Sequence, residues 1–171
     1  MEVHGGIDCA ARVGRDDGQS LYHLILTEDS IIIAKVLVRK EELKKVEDRI
    51  RTKTTSVVTW SANAMAKAVQ MEFFEEAWDR GRKIEKDLEA YMESRPDEIE
   101  VLDYSRISRV DLSKGTMFGP PFLKFILLNK EIRFNLVHNI FEKAGKLDDN
   151  VYLYYLKSLK KAFGNKLKIK V

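Results

Sequence analysis

The apolar period of this chain changes twice, and that change limits the fold more than any other feature. Through the first forty residues, apolar side chains come in short, β-branched runs. From residue 39 to about 95 they recur every three to four residues, and after Pro96 the short runs return. Strands, then helices, then strands closed by one more helix read as an α+β fold.

The first strand is expected over Ile7 to Val13, followed by Gly14-Arg15-Asp16-Asp17-Gly18. Asp-Gly favours a hairpin because both residues tolerate positive φ. Leu21 to Thr27 and Ile31 to Val38 are the next two strands, separated by Glu28-Asp29-Ser30. Arg39 to Lys53 places Leu43, Val46 and Ile50 on one narrow stripe of a charged helix. Thr52 to Thr59 reads as a break. Ser61 is a suitable N-cap for a long helix whose stripe runs through Val69, Phe73, Ala77, Ile84, Leu88 and Tyr91. Met71, Phe74 and Trp78 widen that stripe, and Gly81 weakens the helix by about 1 kcal/mol relative to Ala. Ser94-Arg95-Pro96-Asp97 ends it.

Strands are then expected over Glu98 to Tyr104, Ile107 to Leu112, Phe122 to Leu128 and Glu131 to Val137. Asn129-Lys130 supplies a tight turn, Ser113 to Pro121 a loop, and His138 to Ala144 a helical turn. Asp148-Asp149-Asn150 starts the last helix, which should bury Tyr152, Leu156, Leu159 and Phe163. Gly164-Asn165 caps it, and Lys166 to Val171 alternates as a half-buried strand.

Three segments carry a resemblance. Leu24-Ile-Leu-Thr27-Glu-Asp-Ser-Ile31-Ile-Ile-Ala34 is similar to the L-x-L-T-x-x-R-I-I hairpin of the pleckstrin-homology-like superfold, including its GRAM and bacterial branches. Ser30 stands where a basic residue is common there. Tyr104-Ser-Arg-Ile107-Ser-Arg-Val110 resembles the Y-x-x-I-x-x-V strand, and Leu156 to Val171 resembles the ending of some prokaryotic members. The resemblance implies a small bent antiparallel β-barrel capped by the C-terminal helix, formed by residues 1–38 and 98–171. Residues 39–97 would be a long helical-hairpin insertion. Such a barrel alone takes roughly 100 residues, so the insertion accounts for the excess length of this 171-residue chain. The resemblance implies a binding module without naming a ligand. Asp16 and Asp17 in the first hairpin argue against the phosphoinositide site of such folds, because carboxylates repel phosphate.

Chemistry-bearing motifs are sparse. His4, His23 and His138 lack metal-ligand spacing, and Cys9 is the sole cysteine. His23 reads as a strand-surface residue, His138 as a helix start, and Cys9 as a small core side chain. Glu85 and Glu89 read as a solvated helix face. Asp16-Asp17-Gly18 lacks the later ligands of a calcium loop, and no glycine-rich phosphate loop occurs. No cofactor and no metal site are expected, and no enzymatic activity; an enzyme would need a deep pocket with clustered carboxylates.

Charge singles out the end of the chain. The net charge is only +3, yet residues 151–171 carry six lysines and no acid. Lys157, Lys160 and Lys161 fall on one side of the last helix, and Lys166, Lys168 and Lys170 on one strand face. These six are the candidate contacts for anionic lipid, or, as the alternative reading, for nucleic acid. Lysines that cap a helix or guard an edge strand would look the same. Phe73, Phe74, Met71, Trp78, Ile84 and Leu88 form the candidate protein interface, since a projecting helix would leave much of residues 61–92 uncovered. The expectation is a non-enzymatic binding or scaffold module that associates with a partner protein or forms a homo-oligomer. One cysteine, no signal-like N-terminus and no apolar run fit for an integral membrane segment point to the cytoplasm.

Overall fold

The computed structural model describes residues 1–53 and 61–171. It is α+β. Its strands are β1 (Gly5–Arg12), β2 (Ser20–Leu26), β3 (Ser30–Val38), β4 (Ile99–Asp103), β5 (Ile107–Ser113), β6 (Phe122–Leu127), β7 (Glu131–Leu136) and β8 (Leu167–Lys170). Its helices are α1 (Arg39–Lys53), α2 (Ala62–Lys86), α3 (Leu88–Ser94) and α4 (Asp149–Phe163). The break expected at Thr52–Thr59 lies mostly outside the described residues; Thr52 and Lys53 end α1.

All eight strands join one mixed sheet in the order β4-β3-β2-β1-β7-β6-β5-β8, antiparallel except for the parallel β5–β8 pair. In this order β4 and β5 are six strand spacings apart, about 29 Å along a flat sheet. Only Tyr104–Arg106 connects them, and four peptide steps reach at most about 15 Å. The sheet therefore curls on itself. It does not close: no ladder joins β4 to β5 or β8, so the expected barrel is not formed. The seam is held by side chains instead. Lys166 Nζ donates to the carbonyls of Tyr104 (3.3 Å) and Ile107 (2.9 Å), and the Tyr104 hydroxyl donates to the Thr27 carbonyl at 2.9 Å.

The inner face of the curl holds one core. Ile7, Leu24, Ile33 and Leu102 from one half meet Val110, Leu123, Phe125 and Phe134 from the other. Helix α4 packs into it through Tyr155, Leu159 and Phe163. Tyr155, not Tyr152, is the fully buried tyrosine of this helix.

The helical block covers the outer face. Val46 and Ile50 of α1, with Val69, Phe73, Ala77 and Ile84 of α2, share a second core with Leu21, Ile25, Ile32 and Ala34 of the sheet. The helix does not project; it packs against the sheet and buries its stripe there. Phe73, Ile84 and Leu88 are at most 5% exposed, and burying each such side chain contributes roughly 2–3 kcal/mol. With Phe74 at 8%, four of the residues expected at a protein interface are thus interior. Ser61 caps α2 as expected, its hydroxyl accepting from the Ala64 N–H. The helix breaks at Asp87 rather than weakening at Gly81. Residues 138–144 form bends instead of a helical turn, because the Asn139 side chain takes the N–H groups of Phe141 and Glu142.

A candidate ligand cleft between two helices

Strand β1 is irregular at its centre. Ile7 pairs with Leu24 and Ala10 with Tyr22, so Asp8 and Cys9 together face His23. This is a β-bulge, and Cys9 takes φ 52°, a conformation that non-glycine residues rarely adopt. The bulge is satisfied from outside the ladder. The Asp8 N–H donates to the Tyr155 hydroxyl oxygen at 3.1 Å, and the Cys9 carbonyl accepts from the Val137 N–H at 2.9 Å.

The bulge brings Asp8 beside His23. Strand β2 is buried along its whole length, because α2 covers the face on which His23 sits with Leu21 and Ile25. His23 is 3% exposed, not a surface residue. Its Nε2 lies 2.5 Å from Glu85 Oε1 of α2. Its Nδ1 lies 3.0 Å from Asp8 Oδ1, but off the direction of a well-formed hydrogen bond. Burial opposes a charge on the ring, yet the two carboxylates outweigh it and lift the His23 pKa from 6.5 to about 9. The ring therefore carries a proton at neutral pH, flanked by two anions.

Two glycines make room for it. A Cβ on Gly6 would come 2.3 Å from Glu85 Oε1 and 2.7 Å from His23 Cε1. A Cβ on Gly81 would come 2.9 Å from His23 Cγ. The glycine that reads as a weak point of the helix is the place where the imidazole fits.

This cluster lies on the floor of a cleft of about 820 Å³ between α2, β1 and the start of α4. Phe74 and Trp78, stacked at 5.9 Å, wall one side with Met71; Val151 and Tyr154 line the other. Met71, Trp78 and Tyr154 remain 63%, 38% and 52% exposed. Of the residues expected to meet a partner, Met71 and Trp78 are the two left at the surface, and both stand on this lip. Phe74 supports them from beneath. The Cys9 thiol is pushed up by burial and then by Asp8, and the Tyr155 hydroxyl is pushed up by the same two causes, so both stay protonated.

The other expected sites lie elsewhere. Glu89 is exposed and takes the Met1 amine at 2.9 Å, while Glu85 turns inward. Lys157, Lys160 and Lys161 are exposed on α4. Lys166 is occupied at the seam. Lys168 stands opposite Asp111 in the β5–β8 register, and Lys170 reaches to 4.0 Å from that carboxylate. Asp111 is 1% exposed, with Arg109 at 3.0 Å and Lys124 at 3.9 Å. Lys124 in turn pairs in register with Arg133, whose guanidinium lies 4.1 Å from the Phe122 ring. Glu2, His4 and Glu28 bring one potential metal-ligand atom each within 4.8 Å, at the partly open edge of the molecule.

Sequence reasoning missed Asp8, His23, Glu85 and Tyr155 as a group. One signal was present. Leu21-Tyr-His-Leu-Ile-Leu26 does not alternate, so the strand should be buried on both faces, and a histidine within it must then find partners. The chain matches no protein-family model, no curated protein and no solved structure.

Proposed function

We propose that this protein is a non-enzymatic binding module whose receiving surface is the cleft between α2 and α4. The observation that carries this reading is the cleft itself. It is large and walled by apolar and aromatic side chains, with a few converging polar groups on its floor, the usual make-up of a ligand site. Asp8, Glu75, Glu85 and Asp148 do bring to this cleft the clustered carboxylates that an enzyme would need, but its groups suit holding better than attacking. The Cys9 thiol and the Tyr155 hydroxyl stay protonated, and both His23 nitrogens face carboxylates. Association with a partner protein or a second copy would use the same lip, Met71 and Trp78, because Phe73, Ile84 and Leu88 support the core.

A fragment screen read by ¹H–¹⁵N NMR tests the reading. Hits are expected to cluster on the amides of Cys9, Trp78 and Val151, and Val151→Trp, which fills the cleft from its exposed wall, should abolish them. A screen whose hits avoid these amides rejects the cleft as the receiving surface. Sedimentation at micromolar concentration tests association: a strictly monomeric mass rejects the homo-oligomer.

A second reading rests on the row Lys168, Asp111, Lys124 and Arg133 across β8, β5, β6 and β7, in which three cations outnumber one buried carboxylate. That row would meet an anionic surface, a lipid headgroup layer before a nucleic acid. Titration against anionic vesicles and against single- and double-stranded oligonucleotides at two salt concentrations separates the two, since both weaken with salt but only one responds to each probe. Binding to neither rejects this reading.

A further inference from the structure

We infer that the cleft between α2 and α4 takes a small amphipathic cation, a protonated amine carried on an apolar stem. The inference rests on the reading of the cleft as the receiving surface and adds the chemistry of what it receives.

The floor is negative whatever the state of His23. Asp8 and Glu85 each give one oxygen to the imidazole. With the ring protonated the three groups sum to one negative charge, and with it neutral to two. Both carboxylates keep 28–29% of their side-chain surface exposed, and their second oxygens accept no hydrogen bond among the described residues. Four carboxylates in all line the cleft, Asp8, Glu75, Glu85 and Asp148, against the cations Arg82 and Lys146 and the protonated His23, which leaves one net negative charge. This imbalance lies on a chain whose net charge is +3. The cleft is therefore a local negative pocket on a mildly basic molecule, and it disfavours an anion.

A neutral ligand fares less well than an ammonium. It would displace water from two carboxylate oxygens and leave them poorly paired, which is costly in a partly dry site. An ammonium brings three N–H donors and a compensating charge. The walls set the remainder of the ligand. Phe74 and Trp78 present stacked ring faces, and Met71, Val151 and Tyr154 continue the apolar lining towards the mouth. An apolar stem lies against these, and the rings add cation–π attraction near the charged head.

The test uses three probes of nearly equal shape: phenethylammonium, phenethyl alcohol and 3-phenylpropionate. Each is titrated into the full chain at neutral pH and followed by ¹H–¹⁵N NMR and by calorimetry. The amine is expected to saturate, to shift the amides of Asp8, Cys9, Trp78 and Val151, and to bind at least about tenfold more tightly than the alcohol, a ratio set by one charged contact. The carboxylate should not saturate. Asp8→Asn should weaken the amine by about tenfold with little change for the alcohol. Val151→Trp, at a 38% exposed position away from the ion pairs, should abolish binding of both and does not depend on the stability of the His23 cluster. Equal binding of amine and alcohol at the cleft amides, or tighter binding of the carboxylate, overturns the cation and leaves the cleft as a receiving surface. No shift at these amides with any of the three overturns both.

Discussion

His23 makes a pH-dependent contribution to stability whose sign follows from its environment. Its folded pKa is about 9, raised from 6.5, so the folded state holds the proton more tightly than the unfolded chain. The stabilisation is complete below about pH 6.5, declines as pH rises, and is gone once pH passes about 9. For a side chain 3% exposed the full effect is on the order of 3 kcal/mol, taken as an upper figure. Denaturant unfolding between pH 6 and 9 should show this decline, and His23→Gln should remove most of it; parallel curves for the two proteins would mean that the ring is not charged in the folded state. Gly81 gives a prediction of opposite sign to the helix rule. Gly→Ala inside a helix normally gains about 1 kcal/mol. Here the added Cβ meets the buried His23 ring at 2.9 Å, so Gly81→Ala should lose about 1–3 kcal/mol in denaturant unfolding. A stabilised variant would show that the ring yields freely.

Among the elements, those set by local chemistry were legible and those set by cover were not. Helix α1 spans the expected Arg39–Lys53, the Ser61 hydroxyl caps α2, and Asp148 caps α4 through the N–H groups of Asn150 and Val151. Each follows from side chains within a few residues of one another. The place of α2 depends on distant strands. Its stripe reads the same whether it faces a partner or the molecule's own sheet, and only the run Leu21–Leu26, apolar on both faces, says that a second layer is needed. The bulge at Asp8 and Cys9 has no local signal at all, since Asp-Cys-Ala-Ala is unremarkable as a strand. The candidate cleft inherits this limit: its lip residues Met71 and Trp78 stood out in the sequence, whereas its floor comes from β1, β2 and α2 meeting in space. Paired substitutions on α2 separate the two faces. Phe73→Ala should cost about 3–5 kcal/mol, the loss typical of a buried phenylalanine. Met71→Ala, at a 63% exposed position, should stay within about 0.5 kcal/mol. Equal effects in thermal or denaturant unfolding would contradict the packing of α2 on the sheet.

On the scale of the whole molecule, the sheet is a shared wall between two cores. Its inner face, curled around α4, resembles what a small barrel would hold, and its outer face needs α1, α2 and α3. An eight-stranded sheet that curls without a closing ladder relies on both layers to keep its shape, with Lys166 and Tyr104 across the seam and Arg12 paired with Glu100 across β1 and β4. The helical block is contiguous in sequence, as an insertion would be, but it shares a core with the sheet and should therefore be needed for the fold. Removing residues 39–97 and joining Val38 to Glu98 through a short flexible linker tests this directly. The linker is sterically feasible, because Ala34 and Ile99 already pair in adjacent strands. The deletion would expose Leu21, Ile25, Ile32 and Ala34, all at 0% exposure in the intact chain, and leave Asp8 and His23 without Glu85. It is expected to lose cooperative thermal unfolding and near-ultraviolet circular dichroism and to bind a hydrophobic dye. If instead the shortened chain unfolds in one sharp transition with dispersed amide resonances, the strands and α4 form a self-sufficient domain, and the helical layer is an accessory that this domain carries.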